Sequence, residues 1–354
     1  MNNEQANAAT DPQAMPMDPN YIIPPFLVYQ FEKDITDREN MELFYNHKVP
    51  HWVPNYYADF NFRGPLKLDY DRPGGGIGTS GFDWFGQEWV FVPEAGAPMV
   101  KPGAPFITDI TKWETQIKFP DLDAIDWEKD AAGYKQFDNK DRMNACIAVQ
   151  GPFERLHDML GFEETLIAFL EEPEAVSDFI SAMADFKIKY FKILRDYYDV
   201  DVVCAHDDLA SAANGFFSVE IFNKILKPHY KRMVDAVHDL GMYYQFHSCG
   251  KAQMYVPEFV DIGVDCWESA QVMNDLMKIK KEYGDKLLIA GGMDSQGVID
   301  VVGISEEAIR QHVRAQIDLL APGGGFMPTG FFTTGGMVTM VDEIARYGSA
   351  FYRK

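Results

Sequence analysis

The chain has 354 residues, 47% hydrophobic and 24% charged. That is the balance of a globular protein, not of a disordered chain, a collagen-like fibre or a coiled coil. Its 32 Lys and Arg face 54 Asp and Glu, a formal charge of −22 that would repel phosphate backbones and anionic bilayers, so nucleic acid and membrane are not expected partners. Four cysteines, Cys146, Cys204, Cys249 and Cys266, are too few for a disulfide scaffold at this length. The N-terminus lacks a basic region followed by an apolar one, and no apolar run approaches the roughly 20 residues of a membrane span. The expectation is a soluble, cytoplasmic protein.

Residues 1–20 are polar, with Pro, Ala and Asn, and read as a loose arm. Residues 21–354 read as one domain, in which 60–142 form an irregular, aromatic, Gly- and Pro-rich insertion. The stretch Asp71–Trp89 carries too many glycines for a long helix. Its GGGIG segment lacks the Gly-Lys-Ser/Thr ending of a phosphate loop and reads as a substrate-side loop.

Regular alternation begins at Met143. Ala145–Gln150 is a short β-rich run. Pro173–Asp199 has apolar residues at helical spacing and a proline suited to the first turn. Val200–Asp208 reads as a buried strand. Ser218–Gly241 reads as a helix with a Ser cap, a Gly stop and a kink at Pro228. Strands follow at Met242–Gly250, Val264–Ser269 and Lys286–Asp294, then a helix over Ser305–Gly324 and a sixth strand near Phe326. One or two more strands are expected in His51–Tyr57, making about eight. Strands alternating with helices imply a parallel sheet. The fold class is therefore α/β, a (β/α)8 TIM barrel with an aromatic, Gly/Pro-rich N-terminal extension, and its chemistry belongs at the C-terminal strand ends.

Four of those ends are polar: His206-Asp207-Asp208, His247-Ser248-Cys249, Glu268-Ser269 and Met293-Asp294-Ser295-Gln296. In His247-x-Cys249, an imidazole and a thiolate two residues apart on a turn can share one Zn²⁺. Glu268 is the first candidate for a third ligand. Cys266 points to the same face but deeper, which suits a structural role. Asp207 and Asp208 are candidates for a metal ligand, a general acid or a hydroxyl anchor. Neighbours in a strand point opposite ways, so one of them should face the pocket. Cys146 and Cys204, inside strands, read as core. Aromatic residues in loop-like stretches, Tyr56, Trp84, Phe85 and Phe216 among them, suit a flat apolar ligand, with Asp294 as a polar contact.

At these residues the chain resembles the uroporphyrinogen decarboxylase superfamily. Glu39–Pro54 is similar to that family's opening helix and first strand, and Asp207–Gly250 to its central block. The stretches VDCWESAQ and GDKLLIAGGMDSQ are similar to the family's segments beyond that block. The resemblance implies a (β/α)8 barrel. The decarboxylase branch carries an Arg-rich N-terminal segment that grips propionates; here PNYYADFNFRG holds one arginine, Arg63. The corrinoid-dependent methyltransferase branch carries a His-x-Cys zinc motif and a distant Cys on the last strand. His247 and Cys249 match it, but Ala321–Gly330 contains no Cys, which argues against a thiolate-rich, thiol-activating zinc. The DWFGQEW and ITKWETQIKFPDLDAIDWE segments resemble the O-demethylase methyltransferases of anaerobic metabolism.

That resemblance implies transfer of methyl from an aryl methyl ether to the Co(I) corrinoid of a separate protein, since the chain has no Asp-x-His-x-x-Gly corrinoid motif. Zn at His247, Cys249 and Glu268 would ease phenolate departure, and Asp207 or Asp208 would supply the proton. Methyl transfer from a corrinoid protein to a thiol or folate, tetrapyrrole decarboxylation, and ligand binding without turnover stay open, as does assembly into a homodimer.

Overall fold

The computed structural model describes residues 22–65, 80–93, 97–103, 105–137, 139–330 and 335–353. The expected arm and the GGGIG loop lie outside them. Seven strands form one parallel sheet: β1 (Phe60–Phe62), β5 (Met143–Ala148), β6 (Val202–His206), β7 (Tyr243–His247), β8 (Cys266–Ala270), β9 (Leu288–Gly292) and β10 (Phe326–Thr329), hydrogen-bonded in that order. Three short antiparallel strands, β2 (Gly81–Phe82), β3 (Glu88–Val92) and β4 (Ala97–Val100), make a separate sheet between β1 and β5 in the chain.

The six strands expected from Ala145 onward are all present. The expectation for His51–Tyr57 is corrected: that segment is a turn leading into the short helix Tyr56–Asp59, and the strand starts at Phe60. The Asp59 carboxylate accepts from Asn55 N at 2.9 Å and Trp52 Nε1 at 3.3 Å, which gathers the chain into a turn despite its β-prone aromatics. Seven barrel-like strands are therefore found among the described residues, not eight. β1 and β10 share no ladder; the seam between them is spanned by Tyr57, whose hydroxyl donates to Gly330 O at 2.8 Å.

The helix expected at Ser218–Gly241 begins on its Ser218 cap. A π segment, Phe222–Leu226, precedes Pro228 in the first turn of Lys227–Asp239. Proline has no N–H to return to the preceding turn, and the wider π turn absorbs that missing bond.

Parallel register decides which side chains meet. His206 pairs with His247, and His247 with Glu268, across β6, β7 and β8; two residues earlier Cys204 pairs with Gln245, and Gln245 with Cys266. In-register residues of adjacent strands face the same way, so these form two stacked layers. The alternate residues Phe246 and Trp267 are fully buried and pack with Phe259 on the helix Val256–Ile262, Phe246 and Phe259 stacking at 4.7 Å. Each such ring contributes about 2–3 kcal/mol of burial, which pins the strand ends.

Candidate metal centre

The first layer ends in a cluster of donors. His247 is 7% exposed and Glu268 5%. His247 Nδ1 is hydrogen-bonded to Glu268 Oε2, and the same oxygen accepts from the Cys204 thiol at 3.5 Å. The His206 ring stacks on the His247 ring, centroids 3.7 Å apart and planes within 3°. On its other side, His247 Nε2 lies 3.3 Å from Cys249 Sγ and 3.7 Å from Asp208 Oδ1. Burial opposes charge on His247, but the Glu268 carboxylate and the Cys249 sulfur outweigh it and raise the imidazole well above its ordinary value. Burial, with Glu268 adding, pushes the Cys204 thiol far up.

Two ligand-like groups share His247: Cys204, His206, His247 and Glu268 on one side; Asp208, His247 and Cys249 on the other. The trio expected from sequence, His247, Cys249 and Glu268, is thus split between the two ring nitrogens. One ion takes only one nitrogen of an imidazole, so Glu268 and Cys249 do not meet on one ion in this geometry.

The loop after β7 is held tightly. Gly250 has φ 76°, and a Cβ there would sit 2.4 Å from Ala210 O, so only glycine allows this approach. Leu209 N donates to Ser248 Oγ at 3.0 Å, and Cys249 N donates to Asp208 Oδ1 at 2.6 Å. These bonds fix Asp208 and Cys249 side by side.

Asp207 and Asp208 diverge, as strand alternation requires. Asp207 caps the helix Pro152–Leu160: it accepts from Phe153 N at 3.0 Å and Glu154 N at 2.8 Å, and from the Tyr230 hydroxyl. A Cβ on Gly151 would sit 2.3 Å from the Asp207 carboxyl carbon, so that glycine admits the cap. Desolvation pushes Asp207 up to about 6. Its carboxylate is occupied at the helix end, while Asp208 faces His247.

Of the other expected residues, Tyr56 alone adjoins the donors just described. Tyr56 lies beside Cys204 and Glu268, in the barrel interior. Trp84 packs edge-on against Phe186 and Tyr190, and Phe85 against Phe119 and Phe186, around the long helix Pro173–Tyr198. Phe216 packs against Phe153 and Phe162. Asp294 accepts from Gly297 N at 2.7 Å, and its own N–H donates to His312 Nε2 at 3.0 Å.

Sequence reasoning named His206 only as part of a polar strand end, read Cys204 as core and gave Glu154 no role. The first two were traceable, since Cys204-x-His206, Gln245-x-His247 and Cys266-x-Glu268 repeat one spacing on consecutive strands. Glu154 accepts from Asp208 N at 3.2 Å and Gly151 N at 3.3 Å. Desolvation, with the Asp208, Asp207 and Asp158 carboxylates adding, pushes it up to about 8. Among the described residues no helix is long and apolar enough to cross a membrane, and all four cysteines are free.

Comparison with known proteins bears on this site. Residues 81–335 match the family model described as Uroporphyrinogen decarboxylase (URO-D). None of the curated proteins matches the chain. Among solved structures, a methyltransferase from Methanosarcina mazei superposes with a TM-score of 0.68 over 90% of this chain and 100% of that one, at 12% identity. An L-ribulose 3-epimerase aligns at a TM-score of 0.37, with 10% identity over 66% of this chain and 83% of its own. A sugar phosphate isomerase/epimerase from Parabacteroides distasonis aligns at 0.32, with 10% identity over 60% and 84%. The first shares the fold of this chain; the other two are too distant to inform it.

Proposed function

From the premise that the chain belongs to the uroporphyrinogen decarboxylase (URO-D) family, we propose that it is a methyltransferase of that family's corrinoid-dependent branch. It moves methyl from a methoxylated aromatic to the Co(I) corrinoid of a separate protein. The observation that carries this reading is the pair His247 Nε2 and Cys249 Sγ, 3.3 Å apart at the strand ends. Nitrogen, sulfur and a nearby carboxylate oxygen are a donor set suited to zinc. A Zn²⁺ held by His247 and Cys249 would supply Lewis acidity to the departing ether oxygen.

The remaining roles belong to the chain. Glu268 holds the His247 ring through Nδ1, so that Nε2 is presented towards Cys249. Tyr56 closes the interior behind Cys204 and Glu268. Glu154, pushed up to about 8, is protonated at neutral pH beside Asp208 and can return a proton to a phenolate leaving group.

The test is incubation of the purified protein with methoxylated benzoates and a reduced corrinoid protein, following phenol release and the methyl-corrinoid spectrum. Transfer by the wild type and its loss in Cys249→Ser are expected. Equal turnover in the two proteins would remove the His247–Cys249 pair from the mechanism.

A further inference from the structure

We infer that Asp208, not Glu268, completes the metal centre, and that Glu268 is a positioning residue for His247. The inference rests on the zinc reading above and assigns the ligand that a missing last-strand cysteine leaves open. Three observations carry it.

The first is separation. Tetrahedral zinc with N, O and S bonds of about 2.0–2.3 Å keeps its donors roughly 3.4–3.6 Å apart. Cys249 Sγ and Asp208 Oδ1 stand 3.3 Å and 3.7 Å from His247 Nε2. Glu268 Oε2 is instead in direct hydrogen-bond contact with Nδ1, an arrangement that holds a proton, not an ion, between the two. A carboxylate bonded to the far nitrogen is the usual outer partner of a metal-bound histidine.

The second is ring geometry. The alternative set would use both His206 and His247. Their rings are parallel and stacked. An ion on the lone pair of one ring lies in that ring's plane and out of the plane of the other, so the two cannot both ligate it well.

The third is access. The Asp208 side chain is 39% exposed and Cys249 is half-buried, whereas Cys204 and Glu268 are buried. A catalytic zinc needs three protein ligands and a fourth position open to substrate. The Asp208 side, whose carboxylate is the most exposed of these donors, offers one.

X-ray absorption on the zinc-loaded wild type, with zinc titrations of the apo variants, tests this without any turnover assay. The expected shell holds one imidazole, one sulfur and the rest oxygen. The sulfur should disappear in Cys249→Ser and persist in Cys204→Ser. Asp208→Asn should bind zinc more than about 100-fold more weakly. Glu268→Gln should cost about 10–100-fold, with the same shell. Two imidazoles in the wild-type shell, or loss of sulfur in Cys204→Ser, would overturn the assignment of Asp208 alone and leave metal-assisted transfer standing. A wild type that takes up no zinc would overturn both readings. An Asp208→Asn affinity within about tenfold of the wild type, or a larger loss in Glu268→Gln than in Asp208→Asn, would likewise overturn the Asp208 assignment. Asp208→Glu, which keeps the carboxylate, should retain more binding than Asp208→Asn and so separates loss of a ligand from misfolding.

Discussion

The ion pair between Asp83 and Arg155 offers a strong test of how the β2–β3 turn is bound to the barrel. Both side chains are fully buried. The Asp83 carboxylate accepts from Phe85 N at 3.0 Å and Gln87 N at 2.9 Å on one oxygen, and from Trp89 Nε1 at 3.0 Å and Arg155 on the other. The Arg155 guanidinium also sits over the Phe85 ring, 4.7 Å from its centroid. In Asp83→Asn the amide oxygen can keep the two backbone donors. The amide nitrogen then faces two other donors, and the buried Arg155 guanidinium loses the Asp83 charge beside it. Breaking a buried pair from one side costs about 3–5 kcal/mol, and the lost Trp89 bond adds about 1 kcal/mol. A loss of about 4–6 kcal/mol is expected in urea unfolding followed by tryptophan fluorescence. Adding Arg155→Met removes the charge that Asp83 balanced, so the double variant should be more stable than the sum of the singles by at least about 2 kcal/mol. A single-variant loss under about 1 kcal/mol, or a strictly additive cycle, would show that the charge is solvated and that the pair does not bind this turn to the helix Pro152–Leu160.

Three further predictions concern the site. Glu154 is raised from 4.5 to about 8; the folded state therefore holds its proton longer than the unfolded state. Its contribution is full below pH 4.5 and lost as pH climbs through 8. Glu154→Gln should flatten that decline in urea melts across the range, and an unchanged slope would mean that another group produces it. Gly250→Ala places a Cβ 2.4 Å from Ala210 O at a positive φ. It should cost about 2 kcal/mol or more and displace Cys249, so that zinc content falls together with stability; a variant as stable and as zinc-loaded as the wild type would refute the close approach. His247 is raised well above 6.5 by Glu268 and Cys249 despite its burial, so protons compete with the metal to a higher pH than at a free imidazole. In the metal-free protein the His247 imidazole, followed by NMR titration, should stay protonated as pH passes 6.5, whereas a midpoint there would mean that it titrates normally.

The alternation of strands and helices from Met143 onward was legible in the residues alone. Each strand there is a short β-branched or apolar run closed by polar residues, and several helices open on a Ser or Asp cap or on a proline in the first turn, so local chemistry and global fold agree. The same pattern placed His247, Cys249, Asp208 and Glu268 at strand ends, because a parallel sheet packed on helices forces polar groups to the ends of its strands. In His51–Tyr57 the aromatic composition pointed to a strand, but Asp59 gathers the chain into a turn through bonds that no composition records. Which ring nitrogen meets which donor was settled only in three dimensions. That choice depends on the register of β6, β7 and β8 and on loops that bring Asp208 beside Cys249 from 41 residues away. The fates of Asp207, Trp84, Phe85 and Phe216 were likewise set by contacts with residues distant in the chain. A side chain's type limits what it can bind, but the partner that reaches it is chosen by packing.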